Sequence, residues 1–107
     1  MRVIDILNKI EGKILTNDQS DVFFEGIYAG DLLSNVMSHA RENNLLLTIM
    51  SNMNTIAVAC LLDLPIILFA EGVIPTDEMI DKANEEKIML ISSKYSVVDI
   101  IRKIYGI

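Results

Sequence analysis

Three short apolar runs, each followed by a segment with helical spacing, constrain the fold of this chain more than any other feature. The runs cover residues 45–50, 65–69 and 88–91, and nearly every residue in them is aliphatic, methionine or phenylalanine. A strand that is apolar at consecutive positions is buried on both faces, as in a parallel sheet between two layers of helices. The alternation of strands and helices also indicates βαβ units with right-handed crossovers. We therefore predict an α/β three-layer sandwich with a mostly parallel central sheet flanked by helices.

Hydrophobic periodicity and turn residues predict the other elements. The predicted helices are residues 3–10, 31–41, 55–62 and 77–86, and a last helix that uses Val97, Ile100, Ile101 and Ile104. The further predicted strands are residues 13–16 and 22–29, joined by a polar loop at residues 16–21. The helix at residues 55–62 is apolar on nearly every side, which predicts burial by the sheet on one side and by a second surface on the other.

The composition predicts a single domain, residues 1–107, with a partner surface. A chain of 107 residues is long enough for one core. Hydrophobic residues make up 51% of it, which is difficult to bury in so small a globule. We therefore expect an apolar face to be covered by a second copy of the chain, giving a homodimer. A well-buried parallel sheet is the alternative explanation of the same excess.

Charge and cysteine content exclude several classes of partner and site. The net charge is −6 and the nine basic residues are scattered, which argues against nucleic acid as a partner. Cys60 and His39 are the single members of their residue types, so we expect no metal site and no cofactor. The first twelve residues lack the apolar core of a signal peptide, and the apolar stretch at residues 55–70 is short and interrupted. We expect a cytoplasmic protein with no membrane partner.

No sequence motif points to catalysis. Both common phosphate-binding glycine motifs are absent. Cys60, in the middle of an apolar helix, is predicted to be an inert core thiol. The acidic residues of the helix at 77–86 are predicted to lie on a solvent face. An enzyme with a site formed by Asp31, Ser34 and His39 is the least favoured hypothesis, because a general base needs a partner and a pocket.

Three loops follow predicted strands and precede predicted helices, at residues 28–31, 51–54 and 92–94. Ligands of parallel sheets bind at the carboxyl ends of strands, where helix N-termini present free N–H groups. Serine, asparagine and aspartate are equally favoured there as helix caps, so capping and ligand binding both explain the pattern. The candidate ligand-binding residues are Tyr28, Gly30, Asp31, Ser34, Ser51, Asn52, Asn54, Ser92, Ser93 and Lys94.

The string Y-A-G-D-L-L-S-N-V-M at residues 28–37 resembles the DRTGG domain family, which is related to the N-terminal domain of HPr kinase/phosphorylase. The similarity extends as a pattern over most of the chain. The segment where the family signature would fall, residues 21–27, reads D-V-F-F-E-G-I and keeps only Asp21 and Gly26 as matches. The resemblance implies an HPr kinase N-terminal-domain-like fold and a regulatory, non-catalytic role in which domains pair as dimers.

Two functions therefore lead. The first is a regulatory or scaffolding module that acts through homodimerisation and interaction with a partner protein such as an enzyme. The alternative is a sensor that binds a nucleotide or a phosphorylated metabolite at the C-terminal edge of the sheet.

Overall fold

The computed structural model describes residues 1–18 and 20–107 and has a five-stranded sheet between two layers of helices. The helices are α1 Val3–Ile6, α2 Leu33–His39, α3 Met53–Leu61, α4 Asp77–Glu86 and α5 Val97–Tyr105. The strands are β1 Lys13–Ile14, β2 Ile27–Ala29, β3 Leu45–Thr48, β4 Ile66–Phe69 and β5 Met89–Ser92. Within the described residues, no helix has the length and hydropathy needed to cross a bilayer.

The sheet has the order β1-β5-β4-β3-β2, and β2 to β5 run parallel in sequence order. The short β1 pairs antiparallel with β5 at the opposite edge from β2. Because each parallel strand lies beside the next one in sequence, right-handed crossovers place α2, α3 and α4 on the same face. The other face is covered by α1 and α5, as the two sets of core residues show. The prediction of an α/β sandwich with a mostly parallel sheet is confirmed.

Alternate residues of the central strands divide the core between the two faces. On β3, Leu45 and Leu47 pack with α1 and α5, whereas Leu46 packs with α2 and α3. Each of these leucines is fully buried, as the near-continuous apolar strands predict.

The strand predicted at residues 22–29 is wrong for most of its length, because only Ile27–Ala29 pairs with β3. Gly26 lies before this strand with a φ of +72°, a left-handed conformation that breaks the extended chain. The residues before it are held by bonds to other parts of the molecule, such as the Phe24 amide bonded to the Met1 carbonyl at 2.8 Å. Phe24 itself is fully buried beneath α1.

Two predicted helix starts are corrected by side-chain hydrogen bonds. The helix expected from residue 31 begins at Leu33, because the Asp31 carboxylate bonds to the end of β3 instead of capping α2. The helix expected from residue 55 begins at Met53, because the Asn52 side chain caps it by accepting from the Asn54 amide at 2.9 Å. The helix predicted at residues 77–86 is confirmed at both ends.

The remaining differences are shifts of element boundaries. The first helix is predicted over residues 3–10, but helical geometry ends at Ile6 and turns continue the segment. The strands predicted at 13–16, 45–50, 65–69 and 88–91 are Lys13–Ile14, Leu45–Thr48, Ile66–Phe69 and Met89–Ser92. The predicted loop at 16–21 includes Gln19, which lies outside the described residues.

Helix α3 is buried on its sheet side only. Leu61 is 68% exposed, and Ala57 and Cys60 are also exposed, whereas Ile56 and Ala59 are fully buried. The prediction that Cys60 is a core thiol is therefore wrong, because its position on the helix faces away from the sheet. Within the described residues, no second surface covers the outer side of this helix, so its burial on that side stays a prediction.

Candidate functional site

The C-terminal edge of the sheet collects the three loops singled out in the sequence. They follow β2, β3 and β5, whose carboxyl ends lie at the same edge because these strands are parallel. A fourth loop, residues 70–72, follows β4 between the second and third of them. The loops after β3 and β5 are therefore about 10 Å apart, since neighbouring strands are about 4.8 Å apart. The ten candidate residues form two groups at this edge instead of one.

Asp31 joins the loops after β2 and β3. Its Oδ1 accepts from the Thr48 hydroxyl at 2.8 Å and from the Ile49 amide at 2.9 Å. Thr48 is fully buried, and its hydroxyl oxygen also accepts from the Met50 amide at 3.1 Å. The carboxylate thus organises the end of the sheet, and its role within the chain is that of a structural acceptor.

The residues around Asp31 have simpler environments. Tyr28 packs its ring against Gly30, where an added Cβ would lie 3.0 Å from the tyrosine Cε2. A side chain at position 30 would therefore displace this ring. Ser34 is exposed on α2, and its backbone carbonyl accepts from the Ser38 hydroxyl.

The loop after β3 provides the N-terminus of α3. Asn52 is the cap of this helix, while Ser51 and Asn54 are exposed. Thr55 is fully buried and donates its hydroxyl to the Met50 carbonyl at 3.0 Å, which closes the turn. All three candidate residues here are exposed, and the side-chain oxygen of Asn52 is used by the cap.

The loop after β5 is attached to the opposite helix layer. Ser93 is 3% exposed, and its hydroxyl donates to the Ile10 carbonyl at 2.7 Å. The same oxygen accepts from the Tyr95 amide at 3.3 Å. Ser92 is also buried. Ser93 therefore links β5 to the segment after α1.

Four charged or aromatic side chains meet beside this loop. The Lys94 ammonium lies 3.3 Å from Glu11 Oε2, and the Tyr95 hydroxyl donates to the same oxygen. The ammonium groups of Lys103 and Lys94 lie 4.6 and 5.7 Å from the centre of the Tyr95 ring, within reach of cation–π attraction. The cluster holds two cations and one carboxylate and lies at the surface.

The shared hydrogen bond perturbs both acids of this cluster. The Tyr95 hydroxyl, followed by Lys94, lowers the pKa of Glu11 below its usual value. The pKa of Tyr95 is raised, because its hydroxyl donates a hydrogen bond to the Glu11 carboxylate. Sequence reasoning found Lys94 but missed Glu11, Tyr95 and Lys103, because their meeting depends on how α1 and α5 pack on the sheet.

The loop after β4 was also missed, although the same rule about strand ends applies to it. Its backbone is tied to the loop after β5 through the Glu71 amide to the Tyr95 carbonyl at 2.8 Å and the Gly72 amide to the Ser93 carbonyl at 2.9 Å. Gly72 has a φ of +72°, and the space beside its Cα is open. The β4 and β5 ends are therefore joined by backbone bonds.

A separate groove of about 470 Å³ lies between α3 and α4, on the outer side of the helix layer. Its walls are formed by Met53, Asn54, Ile56, Ala57, Cys60, Leu61, Lys82 and Glu86. The groove is largely apolar, with one ammonium group and one carboxylate. Sequence reasoning indicated it only indirectly, through the apolar character of residues 55–62.

The thiol in this groove is a weak acid. Cys60 Sγ donates to Glu86 Oε2 at 3.2 Å, and this bond to a carboxylate raises the pKa of the thiol. Lys82 lies 3.3 Å from the same carboxylate group and 3.5 Å from Glu85. A protonated thiol is a poor nucleophile, so the arrangement does not favour covalent chemistry.

The residues considered for catalysis are not brought together in a triad. Asp31 bonds to Thr48, and His39 Nδ1 contacts the Asn35 carbonyl at 3.0 Å on its own helix. Throughout residues 1–18 and 20–107, no group of three histidine, cysteine or acidic residues has the arrangement of a metal site.

Comparison with solved structures shows that the fold of this chain is similar to that of a known regulatory region. The similar structure is the crystal structure of the CBS and DRTGG domains of the regulatory region of Clostridium perfringens pyrophosphatase, complexed with its activator diadenosine tetraphosphate. The TM-score is 0.80 over 95% of this chain, at 16% sequence identity. The match covers 45% of that chain, so the present chain corresponds to less than half of its length. No family model and no curated protein matches the sequence.

Proposed function

We propose that this chain is a non-catalytic, cytoplasmic regulatory module of the DRTGG type that acts through self-association. One observation carries the proposal: the outer face of α3 is apolar and exposed, with Leu61 68% and Met53 36% exposed. In a chain that is 51% hydrophobic, a contiguous apolar surface of this kind is typical of a protein interface.

The polar residues at the C-terminal edge of the sheet support this assignment, because several of them have structural roles within the chain. Asp31, Asn52 and Ser93 already bond to groups within the chain, as helix caps and loop anchors do. The solved structure with the same fold belongs to the regulatory region of an enzyme. By analogy, the partner of the present module is an enzyme whose activity depends on the paired state of the module.

The first prediction concerns mass in solution. We expect a particle of twice 12.0 kDa at micromolar concentration, because burial of an apolar face drives association. Light scattering coupled to gel filtration measures this directly. A single species of 12.0 kDa across the micromolar range would contradict self-association.

A second candidate function, binding of a nucleotide or a phosphorylated metabolite, is favoured by the cluster beside the β5 loop. Lys94 and Lys103 both approach the Tyr95 ring, Glu11 contacts Lys94 and Tyr95, and Asp99 acts on Tyr95 electrostatically. Two ammonium groups and an aromatic face suit a phosphate attached to a base. The similar solved structure contains a nucleotide activator.

The second prediction tests this candidate with diadenosine tetraphosphate and ATP in a thermal-shift assay. Ligand that binds only the native state at about 100 times its Kd stabilises by about 2.7 kcal/mol, which raises Tm by several degrees. The Lys94→Ala/Lys103→Ala variant is expected to lose the shift. The control Arg41→Ala/Lys87→Ala removes the same charge at the opposite edge of the sheet, before β3 and β5, and is expected to retain it. An unchanged Tm at millimolar ligand would rule out this function and leave self-association untouched.

A further inference from the structure

We propose that the groove between α3 and α4 is a docking site for an amphipathic helix of a partner protein, with lysine and arginine on the polar face of that helix. This inference goes beyond the self-association proposed above, because the occupant is a different molecule. The helix would use the α4 side of the helix layer, and the α2 side, which exposes Leu32 and Met37, stays open to a second copy.

The wall contributed by α3 has the form of a surface on which a helix packs. Met53, Ala57 and Leu61 recur every four residues, so they lie along one side of α3, and all three are exposed. A small alanine between two larger side chains lets a second helix approach to about 8–10 Å, the ordinary distance of helix packing. Amphipathic helices are commonly recognised by seating their apolar face in such a groove.

The wall contributed by α4 is acidic. Its residues, Asp77–Glu86, include five carboxylates and one ammonium group, a net charge of −4 in a chain whose total is −6. The ammonium of Lys82 lies 3.5 Å from Glu85 and 3.3 Å from Glu86 on its own helix, so its charge is already compensated.

Three further carboxylates of α4 are available to a partner. Within residues 1–18 and 20–107, Asp77, Glu78 and Asp81 form no ion pair, and each is exposed. Glu78 lies one turn before Lys82, on the side of the helix that borders the groove, since residues four apart share a face. Helix α3 has no charged residue to neutralise them. A helix seated on the apolar wall therefore meets negative charge along one flank, which lysine or arginine complements.

The same charge disfavours other occupants. Nucleic acid and anionic lipid surfaces would bring further negative charge against α4. A second copy paired groove to groove would place its own α4 against this one, and like charges repel. A basic amphipathic helix is therefore the occupant that the surface fits best.

The test uses two synthetic peptides of about 16 residues, which as helices are longer than α3. One carries leucine along one face and lysine elsewhere, and the other has the same leucines with glutamate in place of lysine. We expect the lysine peptide to bind with a dissociation constant of about 1–100 µM, because small interfaces are weak. The glutamate peptide is expected to bind at least about tenfold more weakly. Fluorescence anisotropy of the labelled peptides measures both constants.

A matched pair of variants tests the apolar wall. Leu61→Lys and Val98→Lys introduce the same charge at helix positions that are 68% and 64% exposed, the first in the groove and the second on α5 in the opposite layer. Leu61→Lys is expected to weaken binding of the lysine peptide at least about tenfold, because it removes an apolar contact and adds a like charge. Val98→Lys is expected to leave the constant within about threefold of the wild type.

A second pair tests the acidic wall. Glu78→Gln/Asp81→Asn removes two carboxylates from α4, whereas Asp5→Asn/Glu25→Gln removes two exposed carboxylates from α1 and from the segment before β2. The net charge changes equally in both, so attraction by the charge of the whole chain falls equally. We expect the α4 variant to raise the dissociation constant about three- to tenfold and the control to raise it less than about twofold.

The Cys60 thiol reports occupancy of the groove in the wild-type chain. Because Cys60 lines the groove, saturating lysine peptide is expected to slow its reaction with a maleimide severalfold, whereas the glutamate peptide leaves the rate unchanged. This measurement decides the question if Leu61→Lys fails to fold, as judged by circular dichroism.

The outcomes separate docking from self-association, which the mass in solution decides independently. Binding of the lysine peptide that Leu61→Lys and Glu78→Gln/Asp81→Asn both weaken, with protection of Cys60, supports docking. Failure of the lysine peptide to bind, equal binding of the two peptides, or a constant that these variants leave unchanged overturns docking and leaves self-association standing. A Cys60 rate that saturating lysine peptide does not alter places the peptide elsewhere and overturns docking as well.

Discussion

Phe24→Ala is expected to lower the free energy of unfolding by about 3–5 kcal/mol, the range for removing a large buried side chain. Phe24 is fully buried and packs in the core formed by α1, α5 and one face of the sheet. The loss is a large fraction of the total stability of a typical small domain, about 5–15 kcal/mol. Urea unfolding followed by circular dichroism, at one protein concentration, measures the change.

The neighbouring Phe23 provides a matched control. Its side chain is 59% exposed, so Phe23→Ala is expected to change the free energy of unfolding by less than about 1 kcal/mol. Equal losses in the two variants would contradict the assignment of Phe24 as the anchor of the irregular segment before β2.

Asp31→Ala is expected to lower the free energy of unfolding by about 2 kcal/mol. Hydrogen bonds to a charged group contribute about 1.5–3 kcal/mol each. The total for the two bonds is smaller than their sum because the Asp31 side chain is exposed and solvent screens its charge. The variant leaves the buried Thr48 hydroxyl and the Ile49 amide without their acceptor. Asp81→Ala removes an exposed carboxylate from the middle of α4 and is expected to change stability by less than about 0.5 kcal/mol.

A double-mutant cycle with Thr48→Val tests the contact itself. If Asp31 acts through Thr48, the two substitutions together cost less than the sum of the separate losses, with a coupling of about 1 kcal/mol. Additive losses would show that the carboxylate does not depend on this hydroxyl. The stabilisation by Asp31 would then come from its bond to the Ile49 amide.

The fold class could be predicted because burial leaves a direct trace in sequence. The runs at β3, β4 and β5 are apolar at consecutive positions, which strands buried on both faces require. The ends of α4 were also predictable, since Thr76 caps it through the Met79 amide and acids occupy its first turn. These features depend on neighbours in the chain.

The segment before β2 shows where local patterns fail. Residues 22–29 contain β-branched and aromatic residues typical of a strand, yet most of them pair with no strand. The left-handed Gly26 and bonds to distant carbonyls determine their path. Which of Phe23 and Phe24 is buried depends on the position of α1, and sequence spacing carries no information on that.

The sequence placed the three candidate loops at one edge of the sheet, but it did not show that β4 separates them into two groups. The rule about strand ends correctly brought the loops after β2, β3 and β5 to one edge, while the roles of their residues in ligand binding stay a prediction. The strand order places β4 between two of those loops, which separates Asp31 from Lys94. Lys94 and Tyr95 both contact Glu11, which lies more than eighty positions earlier in the chain. Sequence spacing gives no information on such contacts.

The sequence by itself determined the layers: alternating apolar strands and helices leave a parallel sheet with two covered faces as the arrangement that buries their side chains. Only the tertiary structure decided which side of α3 faces the sheet, and hence that Ala59 is core while Ala57 and Cys60 lie at the surface. The physical reason is that a helix apolar on nearly every side has no preferred orientation of its own. Its neighbours in the fold select the buried side.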